Sequence, residues 1–239
     1  MPLALSVALP ADSGRIAEIH MAAFGPNAML RAQFPTPAVR DALQRSIESK
    51  ALADILDPKT TVLVVRDLDQ AAPGGKDQSD QSTDVRFTGD EHDEDACKKG
   101  TIISFAKWAH PVAEDEEYEE PPWHWPEGTA LEVLNEWTKQ MEEAQEKVVG
   151  STPCYRLNFM GTDPVHERRG AASMMLRWGL EQCRKHNAPA YLESTIEAAP
   201  FYEKNGFIAI ETLSLKLQDS YGCVETYKEI GFLYRPQKA

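Results

Sequence analysis

The chain has 239 residues, 42% of them hydrophobic and 26% charged, with a net charge of −13. That length can bury a full core, and no apolar run approaches the roughly 18–20 residues of a membrane span. Residues 67–120 hold 16 acidic against 5 basic side chains, a balance of −11. The acidity therefore belongs to part of the chain, and the Lys and Arg clusters that nucleic acid demands are missing. A solvated acidic loop accounts for this balance as well as a cationic or amine-bearing substrate does. The four cysteines, Cys97, Cys154, Cys183 and Cys223, lie far apart with no CxxC pair. They read as free thiols of a cytoplasmic protein, with no metal expected.

Alternation of Leu3, Leu5, Val7 and Leu9 predicts a first strand, and the lack of a preceding basic residue argues against a signal peptide. Asp12 or Ser13 can cap a helix marked by Ile16, Ile19, Ala23 and Phe24, which ends at Gly25-Pro26. A second helix follows Pro37, with Val39, Leu43, Ile47, Leu52 and Leu56 on its apolar face. The β-branched run Thr60–Val65 is a buried strand. Residues 68–99 are rich in Gly, Ser, Asp, Gln and Lys and read as a disordered acidic loop within a hairpin. The cluster His92-Asp93-Glu94-Asp95 is read as part of that acidic tract rather than as a metal site.

A strand returns at Thr101–His110, followed by an inserted segment at 111–150. The insertion opens on an acidic run, continues through Pro121-Pro122-Trp123-His124-Trp125-Pro126, and ends in a helix with Leu131, Leu134, Trp137 and Met141. Trp123 and Trp125 could wall a substrate or only pin the insertion in place; with Phe24 they are the substrate-binding candidates. A central strand at Tyr155–Thr162 leads into a helix over Arg168–His186, then a strand at Ala190–Thr195. Pro200 opens a short helix that Gly206 stops, and Phe207–Leu217 can pair with Cys223–Arg235 as a last hairpin. The fold expected is mixed α/β, a single domain over 1–239 with two insertions and a central, mostly antiparallel sheet flanked by helices. The last hairpin offers an edge on which a homodimer could form.

The chemistry concentrates between Tyr155 and Phe207. A strand ending at Asp163-Pro164 and turning through Arg168-Arg169-Gly170-Ala171-Ala172 into a helix leaves backbone N–H groups free for a phosphate. The small residues let an anion approach closely, and Arg168 and Arg169 add positive charge. The turn has neither the GxxxxGK[ST] nor the GxGxxG pattern. What makes it specific is the spacing Ala198-x3-Tyr202-x3-Gly206-Phe207 about thirty residues on.

Together these residues resemble the GNAT superfamily of acyl-CoA-dependent N-acyltransferases. The family turn Q/R-x-x-G-x-G/A is matched by Glu167, Gly170 and Ala172. The second motif, N/S-x-x-A/G-x-x-x-Y-x-x-x-G-F, is matched by Thr195, Ala198, Tyr202, Gly206 and Phe207. The resemblance is strong over 155–207 and weaker over 3–66 and 101–110, and it is nearest to small-molecule-type members found in fungi. It implies acetyl-CoA as co-substrate. The backbone of Phe159, Met160 and Thr162 would pair with the pantetheine arm, entering at a break between this strand and 190–195. N–H groups from Arg168 through Ser173 would hold the pyrophosphate. A backbone N–H near Phe159 or Met160 would stabilise the oxyanion, and Tyr202 would protonate the leaving thiolate.

Two positions depart from the pattern. Glu167 puts a negative charge beside the phosphates, and the central strand offers Arg156 and Asn158 where a base is wanted. Glu193 and His110 are the base candidates. The acceptor expected is a primary amine on a small molecule. A protein N-terminus or lysine is the alternative, and a non-catalytic acyl-CoA sensor or scaffold is the reading from another class.

Overall fold

The computed structural model describes residues 2–69, 100–113, 115–218 and 224–237. The expectations for 70–99, including His92–Asp95, and for Cys97 and Cys223 fall outside these residues. Seven strands form one sheet: β1 (Leu3–Val7), β2 (Thr60–Asp67), β3 (Thr101–Ala109), β4 (Tyr155–Thr162), β5 (Ala190–Thr195), β6 (Ile208–Gln218) and β7 (Val224–Tyr234). They lie in the order β1-β2-β3-β4-β5-β7-β6, and every pair is antiparallel except β4 with β5. The mixed α/β sheet flanked by helices is the architecture that the hydrophobic periodicity predicts. Among the described residues, no helix is long and apolar enough to cross a membrane.

The helices are α1 (Ser13–Phe24), α2 (Ala28–Gln33), α3 (Pro37–Leu56), α4 (Leu131–Val148), α5 (Ala171–His186) and α6 (Ala199–Lys204). Helix α2 is not foreshadowed by periodicity, being only six residues long; the Asn27 side chain caps it by accepting from Met29 and Leu30 N–H. Thr36 does the same for α3, ahead of Pro37 at a position where a missing N–H is harmless. Asp12 precedes α1 but does not cap it. Its carboxylate instead accepts from Leu9 N–H and pairs with the buried Arg66 at 2.7 Å, tying α1 to β2.

Alternation along the strands sends side chains to two faces. One face packs Leu63, Val65, Ile103, Trp108 and Leu157 against Met175, Leu176 and Trp178 of α5. The other packs Val62, Val64 and Phe105 beneath Ile16 and Ile19 of α1, while α4 and α2 cover the β6–β7 end through Trp137, Met29, Leu213 and Leu217. Helix α5 approaches closely because residue 179 is glycine: a Cβ there would lie 2.2 Å from the fully buried Trp108 ring. Gly179→Ala should therefore destabilise the fold by about 1–3 kcal/mol, lowering Tm by roughly 2–4 °C for each kcal/mol in a chain of this size. Calorimetric unfolding of the purified variant checks this, and an unchanged Tm would mean that α5 can slide to make room.

Candidate functional site

The parallel pairing of β4 with β5 is confined to Tyr155↔Ala190 and Arg156↔Tyr191. Beyond Arg156 the two strands separate, so the edge of β4 from Leu157 to Thr162 carries main-chain groups with no strand beside them on that side among the described residues. On its other side β4 stays paired with β3, with a register shift. Lys107 stands opposite Phe159 and Trp108 opposite Leu157, leaving Asn158 as the extra, bulged residue. A bulge bends its strand, and here it falls where β4 leaves β5.

At the end of β4, Asp163 accepts from Val165 N–H and is held by Arg15 at 2.5 Å, and a short 3-10 turn follows at Pro164–His166. Arg168 (φ 60°) and Gly170 (φ 94°) then adopt left-handed conformations, and α5 starts at Ala171 rather than at Arg168 as the sequence suggests. Left-handed residues in such a turn gather consecutive N–H groups into an anion-binding concavity. Among the described residues, no acceptor is paired with the N–H groups of Arg168, Arg169, Gly170, Ala171, Ala172 or Ser173. The space where a Gly170 Cβ would sit is open, but its positive φ selects glycine.

The two arginines of the turn differ. Arg169 donates to the buried carboxylate of Asp67 at 2.8 Å and meets His166 Nδ1 at 3.0 Å. Its side chain thus braces the turn against β2, where the sequence leads one to expect it to point charge at phosphate. Arg168 and Glu167 are exposed. Thr162 Oγ1 is 2.8 Å from Ser104 Oγ, which leaves the Thr162 main chain as its contribution on the free edge.

Tyr202 lies on α6, buried among Phe201, Phe207 and Phe232 with ring centroids 5.3–6.0 Å away. Burial, with the charge of Glu229, pushes its phenol well above the ordinary value, so it keeps its proton at neutral pH. Its hydroxyl makes no hydrogen bond among the described residues. Ala198 N–H donates to the Thr195 carbonyl at 3.2 Å, closing the turn that carries β5 into α6.

On the face opposite α5, the substrate candidates come together around Phe159. Phe24 lies 6.1 Å and Trp123 6.2 Å from its ring, Trp123 stacks on Trp125 at 4.6 Å, and Trp125 meets Phe34 at 5.8 Å. His20, unremarked in the sequence, sits 4.9 Å from Phe159 and is held neutral by burial, which lowers it to about 4. The segment carrying the tryptophans is anchored by Lys59 to Glu116, by Tyr118 donating to Asp57 at 2.5 Å, and by Lys50 and Lys107 to Glu120. Burial disfavours the charged form of Glu120, yet the two lysines hold its carboxyl down to about 2.

The base candidates lie apart. His110 is beside Tyr155, at the end of β4 remote from Thr162, with Nε2 2.8 Å from Thr61 Oγ1. Glu193 points from β5 to the same face as Arg156 and Phe159, and burial pushes its carboxyl up against the pull of Arg156. Sequence reasoning missed Glu229 on β7, which accepts from Tyr227 at 2.5 Å. The only signal for it is a carboxylate interrupting the alternation Tyr227-x-Glu229-x-Gly231 on the strand beside Glu193.

Residues 104–207 match the acetyltransferase (GNAT) family. None of the curated proteins compared with the chain matches it. Among solved structures, the C-terminal condensation domain of Ebony in complex with beta-alanyl-dopamine is 13% identical, with a TM-score of 0.62, covering 99% of this chain and 100% of its own. The histone acetyltransferase HPA2 and related acetyltransferase from Corynebacterium glutamicum is 16% identical, with a TM-score of 0.57 and coverage of 100% and 99%. The mosquito arylalkylamine N-acetyltransferase like 5b is 14% identical, with a TM-score of 0.52 and coverage of 98% and 100%. At these identities the likeness is one of fold.

Proposed function

With residues 104–207 carrying the domain of the GNAT family, whose members are acyltransferase enzymes, we propose that this chain moves an acetyl group from acetyl-CoA to a primary amine on a small molecule. The observation that carries the reading is the early end of β4–β5 pairing, directly before a turn of unpaired N–H groups. An extended arm can add to the edge 157–162 as a strand would, and a pyrophosphate can sit on the N–H groups of Arg168 to Ser173 at the start of α5. These residues fit the co-substrate, which supplies an activated acetyl thioester when bound.

The chain's own groups have distinct parts in the reading. The main-chain N–H of Phe159 or Met160 is the donor available to a developing oxyanion. Tyr202, still protonated, is the group to hand a proton to the leaving sulfur. Thr195 and Ala198 shape the far wall of the gap, and Arg168 balances the charge of Glu167. Phe24, Phe159, Trp123 and Trp125 narrow the acceptor side. In the acidic segment 115–120, Glu116 and Glu120 are paired with Lys59, Lys50 and Lys107, and Tyr118 donates to Asp57. The narrowing by these aromatic rings favours a small acceptor over a protein terminus. The reading places the reaction in the cytoplasm and needs no metal.

Acetyl-CoA at about 100 times its dissociation constant should stabilise the protein by about 2.7 kcal/mol, read as a rise in Tm that a free acetate control does not give. Thiol release with a panel of amines follows the turnover. Absence of any thermal response to acetyl-CoA would remove both the enzyme and the sensor readings.

A further inference from the structure

Where β4 and β5 part, the face covered by α4 and the α1–α2 connection holds polar side chains short of partners. Glu193 stands opposite Gly231 and Thr195 opposite Glu229, so the two glutamates are diagonal neighbours on one face, a spacing of about 7–8 Å between backbones. Glu229 is fixed by the Tyr227 hydroxyl at 2.5 Å, which in turn accepts from Asn27 Nδ2 at 2.9 Å. Asn158 Oδ1 and Arg156 Nε are buried without a hydrogen-bond partner among the described residues, and Glu193 is coupled to the Tyr191 hydroxyl beside it. Tyr191 is 0% exposed and its hydroxyl lies 3.3 Å from where a Gly231 Cβ would be, directly across the sheet from Glu193. Unpaired buried polar atoms are costly, and such atoms grouped on one face suit a polar ligand.

Resting on the acetyltransferase reading above, we infer that Glu193 and Glu229 are the seat of the acceptor's ammonium group, and that Glu229 takes its proton. Charge selects the substrate class. Arg156 contributes one positive charge and the two glutamates two negative ones, so the ionised site is matched by a single cation. The other groups facing Glu229 do not change this count. Tyr191, Tyr227 and Tyr202 are phenols that burial keeps protonated, Trp137 of α4 and Asn27 are uncharged, and Glu211 of β6 is engaged by Lys147. Glu197, which also acts on Tyr227, is exposed to solvent. The acceptor is therefore a primary monoamine with an uncharged remainder.

In the proton step one N–H bond of the ammonium breaks, its electron pair stays on nitrogen as the nucleophile, and the proton moves to a Glu229 oxygen and later to solvent. The site suits this exchange. Burial pushes the Glu229 carboxyl up to about 7, the Tyr227 hydrogen bond opposing and the Glu193 charge reinforcing the rise. A raised folded-state value means that the protonated form favours folding. That stability is fully present below about 4.5 and is lost as pH rises through about 7.

The test compares n-butylamine and 2-phenylethylamine with 1,4-diaminobutane as acceptors, by thiol release from acetyl-CoA. The monoamines should have at least about 10-fold higher kcat/KM. Their kcat/KM should rise with pH through an apparent pKa near 7, the region expected of a base poised for this work. Glu229→Gln should lower kcat/KM about 100-fold and abolish that limb, while the thermal response to acetyl-CoA stays. Glu193→Gln should move the limb to lower pH, because a neighbouring negative charge is gone; this second variant tests the pair even if the first folds poorly. Wild-type rates and an unmoved limb in both variants, a preference for the diamine, or no thiol release with either monoamine overturns the inference. If acetyl-CoA itself gives no thermal response, the acetyltransferase reading fails as well.

Discussion

Tyr202→Phe should slow acetyl transfer by about 10²–10⁴-fold while leaving the affinity for acetyl-CoA close to that of the parent. The ring is clamped by Phe201, Phe207 and Phe232, and phenylalanine keeps every one of those contacts. Because the hydroxyl makes no hydrogen bond among the described residues, its removal leaves no buried partner unsatisfied. The variant should therefore unfold at the parent temperature, and the loss should appear in kcat rather than in KM for acetyl-CoA. A departing thiolate without a proton donor is the physical cause. Steady-state thiol release with both substrates varied is the measurement, and a kcat equal to that of the parent would show that the sulfur finds its proton elsewhere.

The second large effect concerns stability. Asp54→Ala should destabilise the fold by about 3–5 kcal/mol. Asp54, Lys50 and Lys107 have side chains only 3–6% exposed, and Asp54 pairs with both lysines, at 2.9 Å to Lys107. Without it, two buried cations share Glu120, which is 42% exposed. Burial of unbalanced charge is what makes the loss large. Replacing the whole triad by apolar residues, with Lys50→Met and Lys107→Met added, should restore much of it. The network also holds Glu120 and, through it, the chain leading to Trp123 over Phe159, so the single variant should weaken acceptor use as well. The depressed value of Glu120 sets a pH signature: its contribution is present above about 4.5 and lost as pH falls through about 2. Urea unfolding at pH 7 and at pH 3 measures both. A loss below about 1 kcal/mol would mean that water reaches these groups freely.

Much of the fold is legible in local pattern. The alternation at Leu3–Leu9, the β-branched run at Thr60–Val65 and the helical spacing from Met174 to Leu180 each register burial on one side of a regular element. Helix ends are legible where one residue decides them, as at Thr36-Pro37 and Gly206. The start of α5 is not, because the left-handed Arg168 is chosen by the turn that surrounds it. Helix α2 escapes for want of length.

The site divides along the same line. The turn at 167–173 and the spacing to Tyr202 are properties of neighbouring residues, and chain order alone places them at the ends of β4 and β5. The brace from Arg169 to Asp67 is hidden in the sequence because the two lie about a hundred positions apart. His110 and Glu193 were equivalent as bare titratable groups; the sheet puts one beside Tyr155 and the other beside Glu229. Glu229 carried no mark of its own until β7 was laid against β5.

By itself, then, the amino-acid sequence determined the elements, the turn before α5 and the spacing to the tyrosine, since each depends on dihedral preference or on spacing within one or two elements. Only the tertiary structure decided where β4 leaves β5, that Asn158 is bulged, that the Arg169 side chain braces against Asp67, and that two glutamates and an arginine meet on one face. Those outcomes depend on which strands pair and in what register, and on the burial that pairing imposes. Charge and proton affinity are set by that burial and by neighbours distant in the chain.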